Sequence, residues 1–159
     1  EALAGLAQHV EVKVTEEGLL IQIIDGGDDY LFDLSSSELK PKLKELLAVI
    51  APVLGKLKNH IRVDGHTDAR PFPAGSTRNN WDLSYERASA ARRVLEEHGV
   101  LPGQIVGVVA HGERALYVYD DPFSAKNRRL TVLALRNGIP AEPGHKRAEN
   151  KLPPVAPGG

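Results

Sequence analysis

The 159-residue sequence contains no cysteine, no methionine and only one tryptophan. The absence of cysteine excludes disulfides, thiol catalysis, iron–sulfur clusters and zinc sites built on thiolates. Aromatic residues make up 5% of the chain, so we do not expect a stacking platform for nucleobases or sugars. The chain begins at Glu1 rather than at a methionine, and we therefore interpret it as a piece of a longer protein.

No charge of one sign dominates, because 20 Lys and Arg residues face 21 Asp and Glu residues and the net charge is -1. This balance predicts no nucleic-acid partner and no anionic membrane surface as a partner. No apolar run is long enough to cross a bilayer and no secretory signal is visible. If the protein has a membrane anchor, we expect it outside this sequence. The hydrophobic content of 42% is typical of one soluble globular domain with a core.

The order of predicted elements defines the expected fold. Alternating residues predict a β-hairpin over residues 10–14 and 19–24. Ser35, Ser36, Ser37 and Glu38 predict the start of a helix with Pro41 in its first turn, and Pro52 is expected to kink or end it. Its predicted apolar face comprises Leu39, Leu43, Leu46, Leu47, Ile50, Val53 and Leu57.

After this helix we predict a strand over residues 61–64, a long loop over 69–81, a helix over 83–98, and strands over 105–110 and 130–135. This order predicts an α/β (α+β) two-layer sandwich, a mixed β-sheet with helices on one face. Residues 1–9 are expected to be a linker or helix tail and residues 10–136 the folded domain. Residues 137–159 are rich in proline and glycine and are expected to be disordered, without chemistry of their own.

Arg87 does not fit its surroundings in the second predicted helix. At about 100° per residue it falls within the apolar stripe of Leu83, Ala90, Ala91 and Val94. A guanidinium that faces inward stays charged and needs an anion. Two interpretations remain open: a structural ion pair or snorkelling side chain, and a residue that grips a carboxylate or phosphate of a ligand.

Asp68 is the second candidate, because it follows a predicted strand at a position where ligands often bind in sheets flanked by helices. It is either a structural partner of Arg87 or the second half of a binding site. A carboxylate and a guanidinium that face one crevice suit a zwitterion, in which Asp68 binds an ammonium and Arg87 a carboxylate. The ligand class that these residues imply is an amino-acid head group.

Other chemistry is less well supported. His66 and Asp68 are candidates for metal ligands, but the six histidines form no zinc-binding spacing. Ser84 with His66 and Asp68 suggests a nucleophilic triad, but no Gly-x-Ser-x-Gly elbow is present. Trp81 has two interpretations: it packs the long loop onto the core, which we favour, or it stacks on sugar rings.

The stretch over residues 32–135 resembles the OmpA-like peptidoglycan-binding domain. The resemblance rests on four groups of residues: Phe32-Asp33 with Ser37-Glu38-Leu39; Ile61 to Asp68, with Gly65-His66-Thr67-Asp68; Asn80, Leu83, Ser84, Arg87 and Ala88; and Asn127-Arg128-Arg129-Leu130. The longer loop between Asp68 and Asn80, together with Trp81-Asp82-Leu83-Ser84, is similar to the MotB-like branch found in flagellar stators. Residues 115–121 do not follow the common family pattern.

This resemblance implies that Asp68 and Arg87 hold the diaminopimelate of the peptidoglycan peptide, without catalysis, cofactor or metal. It implies that Thr67 and Asn80 organise the site and that Phe32 and Asp33 line it. Arg128 is either a second anion partner or a brace for the loop.

The resemblance also implies a cellular role. The role implied is that of the periplasmic domain of an inner-membrane stator subunit, which anchors the flagellar motor to the cell wall. Its implied partners are a second copy in a homodimer and a MotA-like subunit. The alternatives are the wall anchor of another OmpA-like envelope protein, such as a lipoprotein or porin tail, and a wall hydrolase.

Overall fold

A computed structural model describes residues 5, 7–26, 31–33 and 36–136. The predicted tail over residues 137–159, and most of the predicted segment 1–9, lie outside the described residues. The division into these segments therefore stays a prediction. Within the described residues, no helix is long and apolar enough to cross a membrane.

Five strands in the described residues form one mixed sheet, as predicted. The hairpin consists of β1 (Val10–Val14) and β2 (Gly18–Ile24), followed by β3 (Ile61–His66), β4 (Ile105–Ala110) and β5 (Arg129–Leu135). The strand order is β1-β2-β5-β3-β4; β3 and β4 are parallel and the other neighbours antiparallel. Strand β5 lies between β2 and β3, so the last residues of β2 and β3 lie beside the first residue of β5 at one end of the sheet.

In the described part of the chain, helices α1 (Pro41–Leu57) and α2 (Asn80–His98) cover the apolar face of this sheet. The core joins the helices to side chains that lie opposite one another across β2, β5 and β3. These side chains are Ile21, Ile23, Leu130, Val132, Ile61 and Val63. The fold class predicted from the sequence is therefore confirmed.

The sequence predicted that Pro52 either kinks or ends α1. The prediction that it ends the helix is wrong, because α1 continues to Leu57. A proline removes one helical N–H but does not end a helix that is anchored on both sides. The anchor beyond Pro52 is Leu54, which is buried in the core. The predicted apolar face is wrong at Val53 and Leu57, which are exposed, because Ala51 and Leu54 face the core instead.

Helix α2 begins three residues before its predicted start. The side chain of Asn79 accepts hydrogen bonds from the backbone N–H groups of Trp81 and Asp82, and Asp82 accepts one from the N–H of Asn79. This reciprocal capping box satisfies N–H groups that would otherwise lack partners at a helix start. It therefore fixes the first turn of the helix beside Asp68.

The packing of α2 on β3 depends on Gly65. A Cβ atom at this position would lie 2.1 Å from the carbonyl oxygen of Ser84. The hydroxyl of Ser84 in turn accepts a hydrogen bond from the N–H of Gly112. This close approach holds α2 directly over the end of β3, and it places Arg87 one helical turn beyond Ser84.

Replacement of Gly65 by alanine tests this close approach. We expect Gly65→Ala to lower the free energy of unfolding by roughly 2–4 kcal/mol, because the added methyl group meets backbone rather than a movable side chain. Urea denaturation followed by circular dichroism measures the change. Gly26→Ala is the matched control, since its Cβ would meet only Lys126 at an ordinary 3.9 Å. An equal loss in both variants would contradict the prediction.

Candidate ligand-binding pocket

A cavity of about 220 Å³ opens where β3 ends and α2 begins. We call it the charged pocket. Its lining includes Thr67, Asp68, Arg70, Asn80, Arg87 and Arg128. The structure thus brings together five of the seven site residues predicted from the sequence, and the other two, Phe32 and Asp33, contact Arg87.

The side chain of Arg87 is only 2% exposed, and its guanidinium is held by contacts with neighbouring groups. Its Nε donates to the carbonyl oxygen of Ser36 at 3.0 Å and its Nη2 to that of Asp33 at 2.6 Å. The ring of Phe32 lies 4.7 Å from the guanidinium carbon, within the range of a cation–π contact. Among the described residues nothing accepts a hydrogen bond from Nη1. That nitrogen is therefore the one suited to a ligand.

Burial is the main cause that lowers the pKa of Arg87 to about 10, and the nearby charge of Arg128 lowers it further. The side chain stays protonated at neutral pH. Carbonyl dipoles and an aromatic ring carry only partial charge, so they orient the guanidinium without neutralising it. No carboxylate of a described residue forms a hydrogen bond or an ion pair with Arg87. Of the two interpretations of Arg87, this favours the ligand contact over the structural ion pair.

The carboxylate of Asp68 is buried and partly occupied. Its Oδ2 accepts from Arg128 Nη1 at 2.8 Å, and its Oδ1 accepts from the backbone N–H of Arg70 at 3.0 Å. Each carboxylate oxygen has room for about two hydrogen bonds. Asp68 is therefore oriented by the protein and keeps acceptor capacity toward the pocket.

Arg128 bridges two buried carboxylates. Its Nε donates to Asp25 Oδ2 at 3.0 Å while its Nη1 donates to Asp68. All three side chains are at most 7% exposed. From the sequence, Arg128 was either a second anion partner for the ligand or a brace for the loop. The two contacts described above are those of a brace.

The remaining predicted residues orient the pocket through local contacts. Thr67 donates its hydroxyl proton to the carbonyl of Asp68, and Asn80 donates to the carbonyl of Arg70 at 3.1 Å and to the carboxylate of Glu113. Phe32 contributes its ring, and Asp33 contributes its backbone carbonyl, to Arg87. The carboxylate of Asp33 is separate, since it lies 3.6 Å from the ammonium of Lys40.

Sequence reasoning missed Arg70 and Asp25. Arg70 lines the pocket, and its Nε lies 3.9 Å from Asp68. It follows Asp68 by two positions in the sequence, and this short separation could have identified it as a pocket residue. Asp25 stands in a run of Asp and Gly residues that indicated only a break after a strand. Its role depends on contact with Arg128, 103 residues away, which no local pattern reveals.

His66 and Ser84 do not form a triad with Asp68 in this arrangement. The ring of His66 stacks on His111 with centroids 4.3 Å apart, and His111 pairs with Asp64 at 2.8 Å. Ser84 donates to the carbonyl of Trp81. In the part of the chain that the structure describes, no cluster of three or more His, Asp or Glu side chains could hold a metal ion.

Trp81 does not pack into the core, contrary to the interpretation that we favoured from the sequence. Its side chain is 49% exposed at the start of α2. The capping box already fixes this turn through the backbone, so burial of the indole is not needed to hold the loop. The other interpretation, stacking on a sugar, remains a prediction.

The fold and the pocket define a class of protein: a small α+β domain with opposite charges fixed at the junction of a central strand and a helix. Residues 31–129 match the OmpA family model. The chain belongs to the OmpA family.

Three known proteins are similar to this chain. It is 35% identical to Motility protein B of Escherichia coli over 155 residues, which cover 97% of this chain and 50% of that protein. It is 34% identical over 124 residues to the peptidoglycan-associated lipoprotein of Pseudomonas putida, covering 77% of this chain and 70% of that one. The periplasmic domain of Helicobacter pylori MotB has the same fold, with a TM-score of 0.73 and 20% identity over 96% of this chain and 94% of that chain.

These comparisons confirm the resemblance to OmpA-like and MotB-like proteins that the motifs predicted. The chain spans about half the length of the Motility protein B relatives that it matches. The activity and partners of the complete protein are therefore a matter of proposal.

Acid titration of His66 gives a testable prediction about the strand that carries the pocket. Burial, followed by the charge of Arg129, lowers the pKa of His66 from 6.5 to about 3. The unfolded chain therefore takes up a proton that the folded chain refuses, and stability falls as the pH falls from 6.5 toward 3. We expect a loss of up to about 3 kcal/mol between pH 6.5 and pH 4.

Urea unfolding across this pH range measures the effect. His66→Asn should reduce the dependence of stability on pH over this interval, whereas His98→Asn, at an exposed histidine, should retain it. A wild-type slope that His66→Asn leaves unaltered would show that another group causes the acid sensitivity.

Proposed function

We propose that this domain binds peptidoglycan without catalysis, by capturing the zwitterionic end of diaminopimelate in the charged pocket. Asp68 receives the ammonium and Arg87 the carboxylate. The observation that carries this proposal is that both side chains line one cavity of about 220 Å³ while each is oriented by other protein groups.

The chemistry of the two ends supports this assignment. Arg87 offers Nη1, and an arginine fork binds carboxylates with charge-assisted hydrogen bonds. Asp68 retains acceptor positions for an ammonium. Because the protein holds both groups before a ligand arrives, little side-chain entropy is lost on binding. Capture of this kind makes and breaks no covalent bond.

The cellular role that we propose is a cell-wall anchor of a flagellar stator. The similarity to Motility protein B over 97% of the chain supports it, as does the shared fold with the periplasmic domain of Helicobacter pylori MotB. On this proposal the domain lies in the periplasm, as part of an inner-membrane protein. Its partners are peptidoglycan, a second copy of itself and a MotA-like subunit.

The similarity to the peptidoglycan-associated lipoprotein of Pseudomonas putida supports a second role. The same pocket could anchor a different envelope protein to the wall. The two roles share the ligand and differ in the assembly that is anchored, so separate experiments test them.

Retention on insoluble peptidoglycan sacculi tests the ligand and the two charges. We expect Asp68→Ala and Arg87→Ala each to weaken retention by roughly tenfold to a few hundredfold, since each removes a charge-assisted contact. Co-sedimentation at a series of protein concentrations measures the change. Circular dichroism verifies that each variant is folded.

Arg93→Ala is the matched control, because it removes an exposed arginine of the same helix outside the charged pocket. We expect it to bind sacculi as the wild type does. Unchanged retention of folded Asp68→Ala and Arg87→Ala would overturn the site assignment. Release of sugar or peptide fragments from the sacculi would instead indicate a hydrolase.

A chimera distinguishes the stator from another wall anchor. The chain replaces the matching region of Escherichia coli Motility protein B, and swimming in soft agar is measured in a strain that lacks that protein. We expect swimming to be restored, and Asp68→Ala in the chimera to abolish it while the protein level stays constant. A chimera that is produced and binds sacculi but does not support swimming would favour the second role.

A further inference from the structure

The charged pocket contains an electrostatic difficulty. Asp68 is paired with the guanidinium of Arg128 at 2.8 Å, and both side chains are almost fully buried. An isolated pair of this kind sums to zero charge and attracts a further cation only weakly. Capture of an ammonium by Asp68 therefore needs something that offsets the charge of Arg128.

Asp25 meets this need. Its Oδ2 accepts from Arg128 Nε at 3.0 Å, and its side chain is 0% exposed. Asp25, Arg128 and Asp68 together sum to one negative charge. Arg70, whose Nε lies 3.9 Å from Asp68, is 52% exposed, so water screens its charge more strongly than that of the buried Arg128. Asp68 is the member of this set that lines the cavity, so the excess charge is presented to a ligand there.

The position of Asp25 is fixed by the backbone. Asp25 follows β2, and its N–H donates to the carbonyl of Arg128 at 3.0 Å, which extends the pairing of β2 with β5. Its Oδ1 accepts from the N–H of Leu31 at 3.1 Å. Leu31 precedes Phe32 and Asp33, which hold Arg87. One carboxylate thus contacts Arg128, which braces Asp68, and Leu31, the residue next to the supports of Arg87.

We propose that Asp25 is a positioning residue of the pocket: it shares Arg128 with Asp68 and so leaves Asp68 the negative charge that captures the ligand's ammonium. This inference rests on the proposed function. Asp25 lies outside residues 31–129, which match the family model. The contribution therefore comes from the residue that follows the N-terminal hairpin and not from the part of the chain that matches the family model.

The burial of Asp25 carries a desolvation cost that its contact with Arg128 opposes. Burial is the largest influence on the pKa of Asp25 and raises it, while the hydrogen bond and charge of Arg128 act in the opposite direction. Replacing Asp25 alone leaves the buried charge of Arg128 less well compensated, so the stability of each variant must be measured beside its binding.

Isothermal titration with a soluble ligand tests the proposal. The probe is the tripeptide L-Ala-γ-D-Glu-meso-diaminopimelate, with the alanine amine acetylated throughout and the remaining amine, that of diaminopimelate, either free or also acetylated. We expect Asp25→Asn to bind the free-amine tripeptide about tenfold more weakly, because Arg128 then neutralises Asp68. For the acetylated tripeptide, which has no ammonium, the wild type and Asp25→Asn should agree within about twofold.

A second variant restores the charge balance. Asp25→Asn combined with Arg128→Gln removes both members of the buried pair and leaves Asp68 with its charge. We expect this double variant to bind the free-amine tripeptide more tightly than Asp25→Asn does. Glu45→Gln, an exposed change that also removes one negative charge, is the control and should bind as the wild type does.

The outcomes separate this inference from the proposed function. If the wild-type domain does not bind the free-amine tripeptide, the proposed function fails. If it binds and Asp68→Ala does not, but folded Asp25→Asn binds normally, the inference about Asp25 alone is overturned. An equal loss for the free and acetylated tripeptides would also overturn it, since that result indicates a purely structural role. If Asp25→Asn does not fold, weak binding of the free-amine tripeptide by the folded double variant overturns it as well.

Discussion

The buried guanidinium of Arg128 joins segments that are far apart in the sequence. It bonds Asp25 at the end of β2 and Asp68 just after β3, and it lies immediately before β5. A charge removed from water must be paired, and removing one partner of such a set leaves an uncompensated charge at a cost of several kcal/mol. This requirement ties three strand ends to one another. The charged pocket is the space that remains between them and the first turns of α2.

Arg87 depends on the same arrangement but uses a different kind of support. Its partners are two backbone carbonyls and an aromatic ring from the segment between β2 and α1. Such groups fix the direction of the guanidinium and leave most of its charge uncompensated. Asp68 is oriented by a cation whose charge a second carboxylate offsets. The pocket therefore presents two opposite charges that are oriented by the protein, yet neither is fully neutralised by it.

The sequence predicted the parts of this structure that depend on local pattern. The five strands follow alternation and apolar runs, and the position of Arg87 inside an apolar stripe indicated its inward direction. The continuation of α1 beyond Pro52 and the burial of Leu54 in place of Val53 depend on tertiary packing, which overrides local propensity. Asp25 was unpredictable for the same reason, because its partner comes from β5's approach to β2.

The construction of the pocket suits the anchor role that we propose. Affinity among related complexes is set mainly by the rate of release, and release is slow when ligand charges are enclosed and matched by groups that need no rearrangement. Here the cost of orienting and burying those groups is incurred during folding, as the shifted pKa values of Asp25 and Arg87 indicate. On the proposed function, the binding site is complete before the ligand arrives, and a pulling force would act on contacts that are already in place.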